Sequence, residues 1–105
     1  MIISIIPARK NSKRIRNKNI KKFNGIPIIN YPIRQIKNSK LFNKSYISTD
    51  SVKIKKIAEK LGLISPFLRQ KKLSDDKIGI IKVIKNFIEY LNSIKIYPEY
   101  VCCIF

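Results

Sequence analysis

Ile5-Ile6-Pro7-Ala8-Arg9-Lys10-Asn11-Ser12-Lys13-Arg14-Ile15-Arg16-Asn17-Lys18-Asn19 is the stretch whose reading decides the fold. It closes an apolar run, Met1 to Ile6, that reads as a buried first strand ended by Pro7. A basic loop follows at once, with Arg9, Lys13, Arg14, Arg16 and Lys18 set among Asn11, Ser12, Asn17 and Asn19. Open α/β sheets place their ligands at the carboxyl ends of their strands, and this loop sits at such an end. Cations beside hydroxyl and amide donors there suit a polyphosphate, which carries several charges on closely spaced oxygens. The alternative for a Lys-rich turn is a solvated basic loop. Position favours the ligand.

Outward from that loop, strands and helices alternate. Asn24-Gly25 marks a turn, and Pro27 suits the first turn of a helix running to about Asn38 with Ile28, Ile29, Ile33 and Ile36 on its apolar side. Pro32 inside that span predicts a kink or a true start near Pro32. Lys44 to Ser48 reads as a second strand, and Thr49-Asp50-Ser51 offers cap chemistry for a helix from Val52 to Leu61. Its buried stripe is Ile54, Ile57, Ala58 and Leu61, with Gly62 ending it. Ser65 to Leu68 reads as a short extended piece around Pro66. A third helix is expected from Ser74-Asp75-Asp76 to about Asn92, burying Ile80, Ile81, Ile84, Phe87, Ile88 and Leu91. Tyr100 to Phe105 has the continuous apolar character of a strand from the centre of a parallel sheet. Together these predict a three-layer α/β arrangement with a mostly parallel sheet and helices on both faces.

Composition bounds the partners. The chain has 105 residues, enough for one modest core, and its 45% hydrophobic content favours folding. A net charge of +17 from 23 basic and 6 acidic residues would suit nucleic acid or an anionic membrane. Yet all the cations except Arg9, Arg14, Arg16, Arg34 and Arg69 are lysines, in a chain that also uses Ile and Asn heavily, a bias that A/T-rich codons explain. The lysines are spread over every expected surface, Lys53, Lys55, Lys56, Lys60, Lys82 and Lys85 among them, without interleaved aromatic stacking residues. Nucleic acid is therefore the disfavoured reading. Cys102 and Cys103 are adjacent and would point to opposite faces of a strand, which argues against a bridge between them. They read as small buried strand residues in a reducing compartment, and the chain has no His to complete a Cys–His site. No signal peptide and no bilayer-length apolar run are present, so the reading is cytoplasmic.

Pro7-Ala8-Arg9, Ser12-Lys13, Lys18-Asn19 and Ser48-Thr49-Asp50 resemble the N-terminal signature of the cytidylyltransferases that activate sialic-acid-type sugars. The resemblance covers the chain from Ile2 onward but only about half of such a catalytic domain. It implies a Rossmann-like nucleotide-diphospho-sugar transferase fold, with residues 1–105 as its N-terminal nucleotide-binding part. The implied reaction joins a nine-carbon 2-keto sugar acid to CMP, using CTP and releasing pyrophosphate.

By the same resemblance Arg9 and Ser12 hold the triphosphate, with Asn11 and Lys13 lending donors, and Asn19 helps fix the nucleotide. Lys18 would neutralise charge on the departing pyrophosphate, so Arg9 and Lys18 are the candidate catalytic residues. Arg69, in Pro66-Phe67-Leu68-Arg69, matches a nucleotide-contacting arginine. Lys77 and Ile78 stand where a base-contacting pair is usual, and Asp75 and Asp76 read equally well as acidic residues at a helix start. Asp50 reads as a helix cap or as a group orienting the basic loop.

Mg²⁺ is the implied cofactor, with the family's metal-binding aspartates outside this chain. Pro66-Phe67-Leu68-Arg69, Leu73-Ser74-Asp75-Asp76 and Tyr100-Val101-Cys102-Cys103-Ile104 look most like the pseudaminic acid branch. Full-length relatives are expected to be homo-oligomeric. The chain itself is expected to be a truncated piece, inactive alone. The alternatives are a small basic nucleic-acid-binding module and a non-functional remnant.

Overall fold

A computed structural model describes residues 1–9, 22–23, 25–69 and 79–104. The elements in chain order are β1 (Ile2–Ala8), β2 (Lys22–Phe23), β3 (Ile26–Pro27), α1 (Asn30–Ser39), β4 (Lys44–Thr49), α2 (Val52–Lys60), α3 (Ile80–Ser93) and β5 (Tyr100–Cys103). β1 lies between β4 and β5, in the order β4-β1-β5, and pairs with both in parallel. Registers run Ile3 to Lys44 through Ala8 to Thr49 on one side, and Ile2 to Tyr100 through Ile5 to Cys103 on the other.

Alternation along β1 sends its side chains into two cores, as a strand buried on both faces must. On one face Ile6 and Ala8 pack with Ile29, Ile33 and Ile36 at α1, Ile47 of β4, Ile54 and Ala58 of α2, and Leu63. On the other, Ile3 and Ile5 pack with Tyr46 of β4 and Phe87 and Leu91 of α3. The three layers and the helices on both faces are as the pattern predicts. Ser4, fully buried between hydrophobic neighbours, meets its need by hydrogen bonding to Ser45 Oγ across the β1–β4 pair at 2.7 Å.

Prolines move two boundaries. Pro7 does not end the first strand: β1 continues to Ala8, with Pro7 opposite Ser48. The Ile5 carbonyl accepts from the Ile104 N–H on the β5 side at 3.0 Å. Pro7, two residues on, has no N–H to offer on that side, and the pairing of β1 with β5 ends at Ile5–Cys103. Pro27 lies not in a helix but in a short antiparallel hairpin with β2, whose turn carries Gly25 at φ 77°. α1 therefore begins at Asn30 and places Pro32 in its first turn, where an N–H has no intrahelical acceptor anyway. Ile28 precedes it and is exposed.

α2 is capped by Ser51, whose hydroxyl accepts from the Ile54 N–H at 3.3 Å; Asp50 is not the cap. Such a cap contributes about 1 kcal/mol. Gly62 follows α2 at φ 94°, and a Cβ there would stand 2.6 Å from Lys37 Nζ, which donates to the Gly62 carbonyl at 3.0 Å. That contact ties the end of α1 to the end of α2.

α3 corrects the expected stripe. It starts at Ile80, after an extended Gly79, later than the pattern suggests, and Ser74, Asp75 and Asp76 lie outside the described residues. Its buried side chains are Val83, Phe87 and Leu91, while Ile81 is 77% exposed and Ile80 is also exposed. A helix rich in Ile all round gives two defensible phases, and contact with the sheet selects the one through Val83. β5 corrects a second expectation. Among the described residues it stands at an edge of the sheet rather than at its centre, and Tyr100 and Cys102 are exposed and Cys103 is half-buried. Both cysteines are free thiols, and burial raises that of Cys103 above its ordinary pKa, with Cys102 adding to the rise.

Candidate nucleotide site

The carboxyl ends of β1 and β4 lie side by side, because Ala8 is in register with Thr49. Arg9 follows the first and Asp50 the second. Into this corner comes Arg69, from the segment that follows α2. That segment lies along the free edge of β4: Ile64 donates to the Ser45 carbonyl and accepts from the Ile47 N–H, and the Arg69 N–H donates to the Thr49 carbonyl at 2.7 Å. Phe67 fixes its other side, its ring 5.4 Å from that of Phe87 and 4.8 Å from that of Tyr90 on α3. Lys55 Nζ on α2 also donates to the Ser65 carbonyl at 2.8 Å. Backbone, ring stack and ammonium together set where Arg69 sits.

The guanidinium is nearly enclosed, at 6% exposure. Its Nε donates to Ser48 Oγ at 3.3 Å and its Nη2 to the Ser48 carbonyl at 2.7 Å. Burial pulls the Arg69 pKa below its ordinary value, the Asp50 carboxylate opposes the fall, and the Arg9 guanidinium adds to it. Among the described residues two guanidiniums thus share a corner of the sheet, with the Asp50 carboxylate acting on Arg69. Arrangements of this kind draw in an anion, because an added negative charge relieves the repulsion between the cations.

Of the residues expected at the site, the structure brings Arg9 and Arg69 to the same corner. Asn11, Ser12, Lys13, Lys18 and Asn19 lie outside the described residues. Ser48 and Phe67 were not singled out as supports. Each sits inside a motif that the sequence does show, Ser48-Thr49-Asp50 and Pro66-Phe67-Leu68-Arg69, but their partners are tertiary and no spacing reveals them. Among the described residues no group of three or more His, Cys, Asp or Glu side chains could hold a metal ion. The donors at this corner, Asp50 apart, are cationic or neutral, so they do not fit a resident Mg²⁺. Among the same residues no helix is long and apolar enough to cross a membrane.

A sheet of parallel strands clad by helices on both faces, with a charged corner at its carboxyl end, is the open α/β architecture in which ligands sit at the strand ends. The fold is similar to that of a solved CMP:2-keto-3-deoxy-manno-octonic acid synthetase complexed with CTP, at a TM-score of 0.69 and 17% identity over 97% of this chain and 39% of that one. A family profile described as cytidylyltransferase matches residues 3–104. The pseudaminic acid cytidylyltransferase of Campylobacter jejuni subsp. jejuni serotype O:2 is 43% identical over 98% of this chain and 44% of its own length. The N-acylneuraminate cytidylyltransferase of Escherichia coli O18:K1:H7 is 36% identical over 94% of this chain and 22% of its own length. The chain belongs to the cytidylyltransferase family. It spans less than half the length of these relatives.

Proposed function

We propose that this chain is the CTP-binding part of a cytidylyltransferase that transfers CMP to a nonulosonic, sialic-acid-like sugar, with pseudaminic acid as the substrate. The observation that carries the reading is the 43% identity over 98% of the chain to a pseudaminic acid cytidylyltransferase. The Arg9–Arg69 corner supports it from the side of physical chemistry.

In this reading a hydroxyl oxygen of the sugar attacks the α-phosphorus of CTP. The bond from that phosphorus to the bridging oxygen breaks, pyrophosphate departs with the bond's electron pair, and the hydroxyl proton passes to solvent. Arg9 and Ser12 hold the triphosphate, assisted by Asn11, Lys13 and Asn19. Lys18 neutralises the charge that gathers on the leaving group, and that is where the rate is gained, since the charge is greater in the transition state than in bound CTP. Arg69 has its Nε and Nη2 on Ser48, so it holds the β4 end of the site in place and adds positive potential. Mg²⁺ carried by the nucleotide would screen its phosphates, and no residue of this chain is assigned to hold it.

Calorimetric titration with CTP and Mg²⁺, with the other nucleoside triphosphates, and with duplex DNA tests this. CTP should bind best. Preference for duplex DNA with a steep salt dependence would replace the reading with a polycation that binds phosphate backbones. The 105-residue chain alone should not release pyrophosphate from CTP at a useful rate when the sugar acid is added; release requiring both substrates would show that it carries a complete site.

A further inference from the structure

A site for an anion has no evident use for a carboxylate, yet one of the chain's 6 acidic residues, against 23 basic ones, stands at the corner of Arg9 and Arg69. The register that sets Ala8 beside Thr49 makes Arg9 and Asp50 the residues that leave the two strand ends. The Arg69 N–H is held on the Thr49 carbonyl at 2.7 Å, one position from Asp50. Capping does not account for Asp50, because the cap of α2 is the Ser51 hydroxyl. Nor is Asp50 ordinary surface. It is half-buried, whereas Glu59, Glu89 and Glu99 are exposed.

Charge balance supplies the reason. Arg69 is almost enclosed, and a guanidinium withdrawn from water needs a countercharge. The acceptors on Ser48, its hydroxyl and its carbonyl, are neutral. Burial lowers the Arg69 pKa, the Asp50 carboxylate opposes the fall, and Arg9 adds to it. We infer that Asp50 is the resident counterion of this corner: without ligand it balances Arg9 and Arg69, and a bound phosphate chain takes over that role against its repulsion. Asp50 therefore stabilises the free chain and weakens its grip on phosphate. The inference rests on the reading of this corner as part of the triphosphate site, and it concerns how tightly that site holds its ligand.

The test titrates Asp50→Asn, which keeps the shape and removes the charge, with inorganic tripolyphosphate and separately with CTP and Mg²⁺. Both should bind about fivefold or more tightly than to the parent, as expected when a like charge is removed at close range. Without ligand, Asp50→Asn should lower Tm by about 2–5 °C, and tripolyphosphate should restore the parent's value. Asp50→Glu keeps the charge and should bind within about twofold of the parent. Glu89→Gln makes the same change in net charge on the exposed surface of α3, and should also stay within about twofold because solvent screens it. Unchanged or weaker tripolyphosphate affinity in Asp50→Asn, or a tightening matched by Asp50→Glu or Glu89→Gln, would overturn the inference. A fall in Tm that tripolyphosphate does not restore would overturn it too, leaving Asp50 as a carboxylate favoured at the start of α2. Tightening in Asp50→Asn, with no preference of the parent for CTP over other nucleoside triphosphates, would keep the counterion and reject the CTP reading instead.

Discussion

The positive charge of this chain comes in two kinds, and Arg69 and the outer face of α2 show them side by side. Lys53, Lys56 and Lys60 stand exposed along α2, where water and salt screen them. Arg69 is 6% exposed, with its guanidinium bonded to Ser48 and its backbone to Thr49. Both regions add to the same net charge of +17, yet the fold is built around one and merely decorated by the other. Net charge alone therefore points to no partner. A cation held at the carboxyl end of a parallel sheet does.

Arg69→Ala tests the comparison most severely. It strips the donors from the Ser48 carbonyl and leaves a void beneath the loop, so urea denaturation should show a loss of about 2–4 kcal/mol. Lys56→Ala should change stability by no more than about 0.5 kcal/mol. Arg69→Lys sharpens the point: it keeps the charge but cannot place two donors on Ser48, and should cost about 1–2 kcal/mol. If the lysine variant were as stable as the parent, charge rather than the fork would be what matters there.

A smaller effect concerns Tyr46, which packs edge-on against Phe87 at 5.4 Å, in the ring cluster that also holds Phe67. Burial raises the Tyr46 pKa above its ordinary 10.0, and Tyr90 adds to the rise. The unfolded chain then loses the Tyr46 proton first, so this contribution is complete below about pH 10 and is lost as pH climbs through the raised native value. Tyr46→Phe keeps the ring and removes the titration. Its stability should fall less steeply than the parent's above that pH, and parallel curves would contradict the assignment.

Much of the fold can be read from the residues, and the failures share a cause. β1, β4 and α2 are visible because each carries its own pattern: an apolar run, a short strand leading to Ser51, and a stripe through Ile54 and Ala58. β5 misleads because its composition records the surroundings a strand suits, and Tyr100-Val101-Cys102-Cys103 suits cover that the described residues do not supply. α3 misleads because isoleucine on several faces leaves its phase open until Phe87 and Leu91 meet Ile3 and Ile5. At the site, Arg69 is legible through its motif. Its bond to Ser48 spans 21 positions and depends on the loop that Phe67 anchors. Local spacing carries no trace of a contact made by packing.

We propose that Arg9, Ser12, Lys18 and Asn19 form a triphosphate cradle beside the corner that Arg9 and Arg69 share. Thermal unfolding with CTP and Mg²⁺ tests it most directly, since a ligand that binds only the native state raises Tm by mass action. CTP should raise the Tm of the parent chain and of Lys56→Ala equally, and should leave that of Lys18→Ala unmoved, because an ammonium facing phosphate has no neutral substitute. Equal, partial losses in Lys18→Ala and Lys56→Ala would contradict the cradle and reduce the loop to ordinary surface charge.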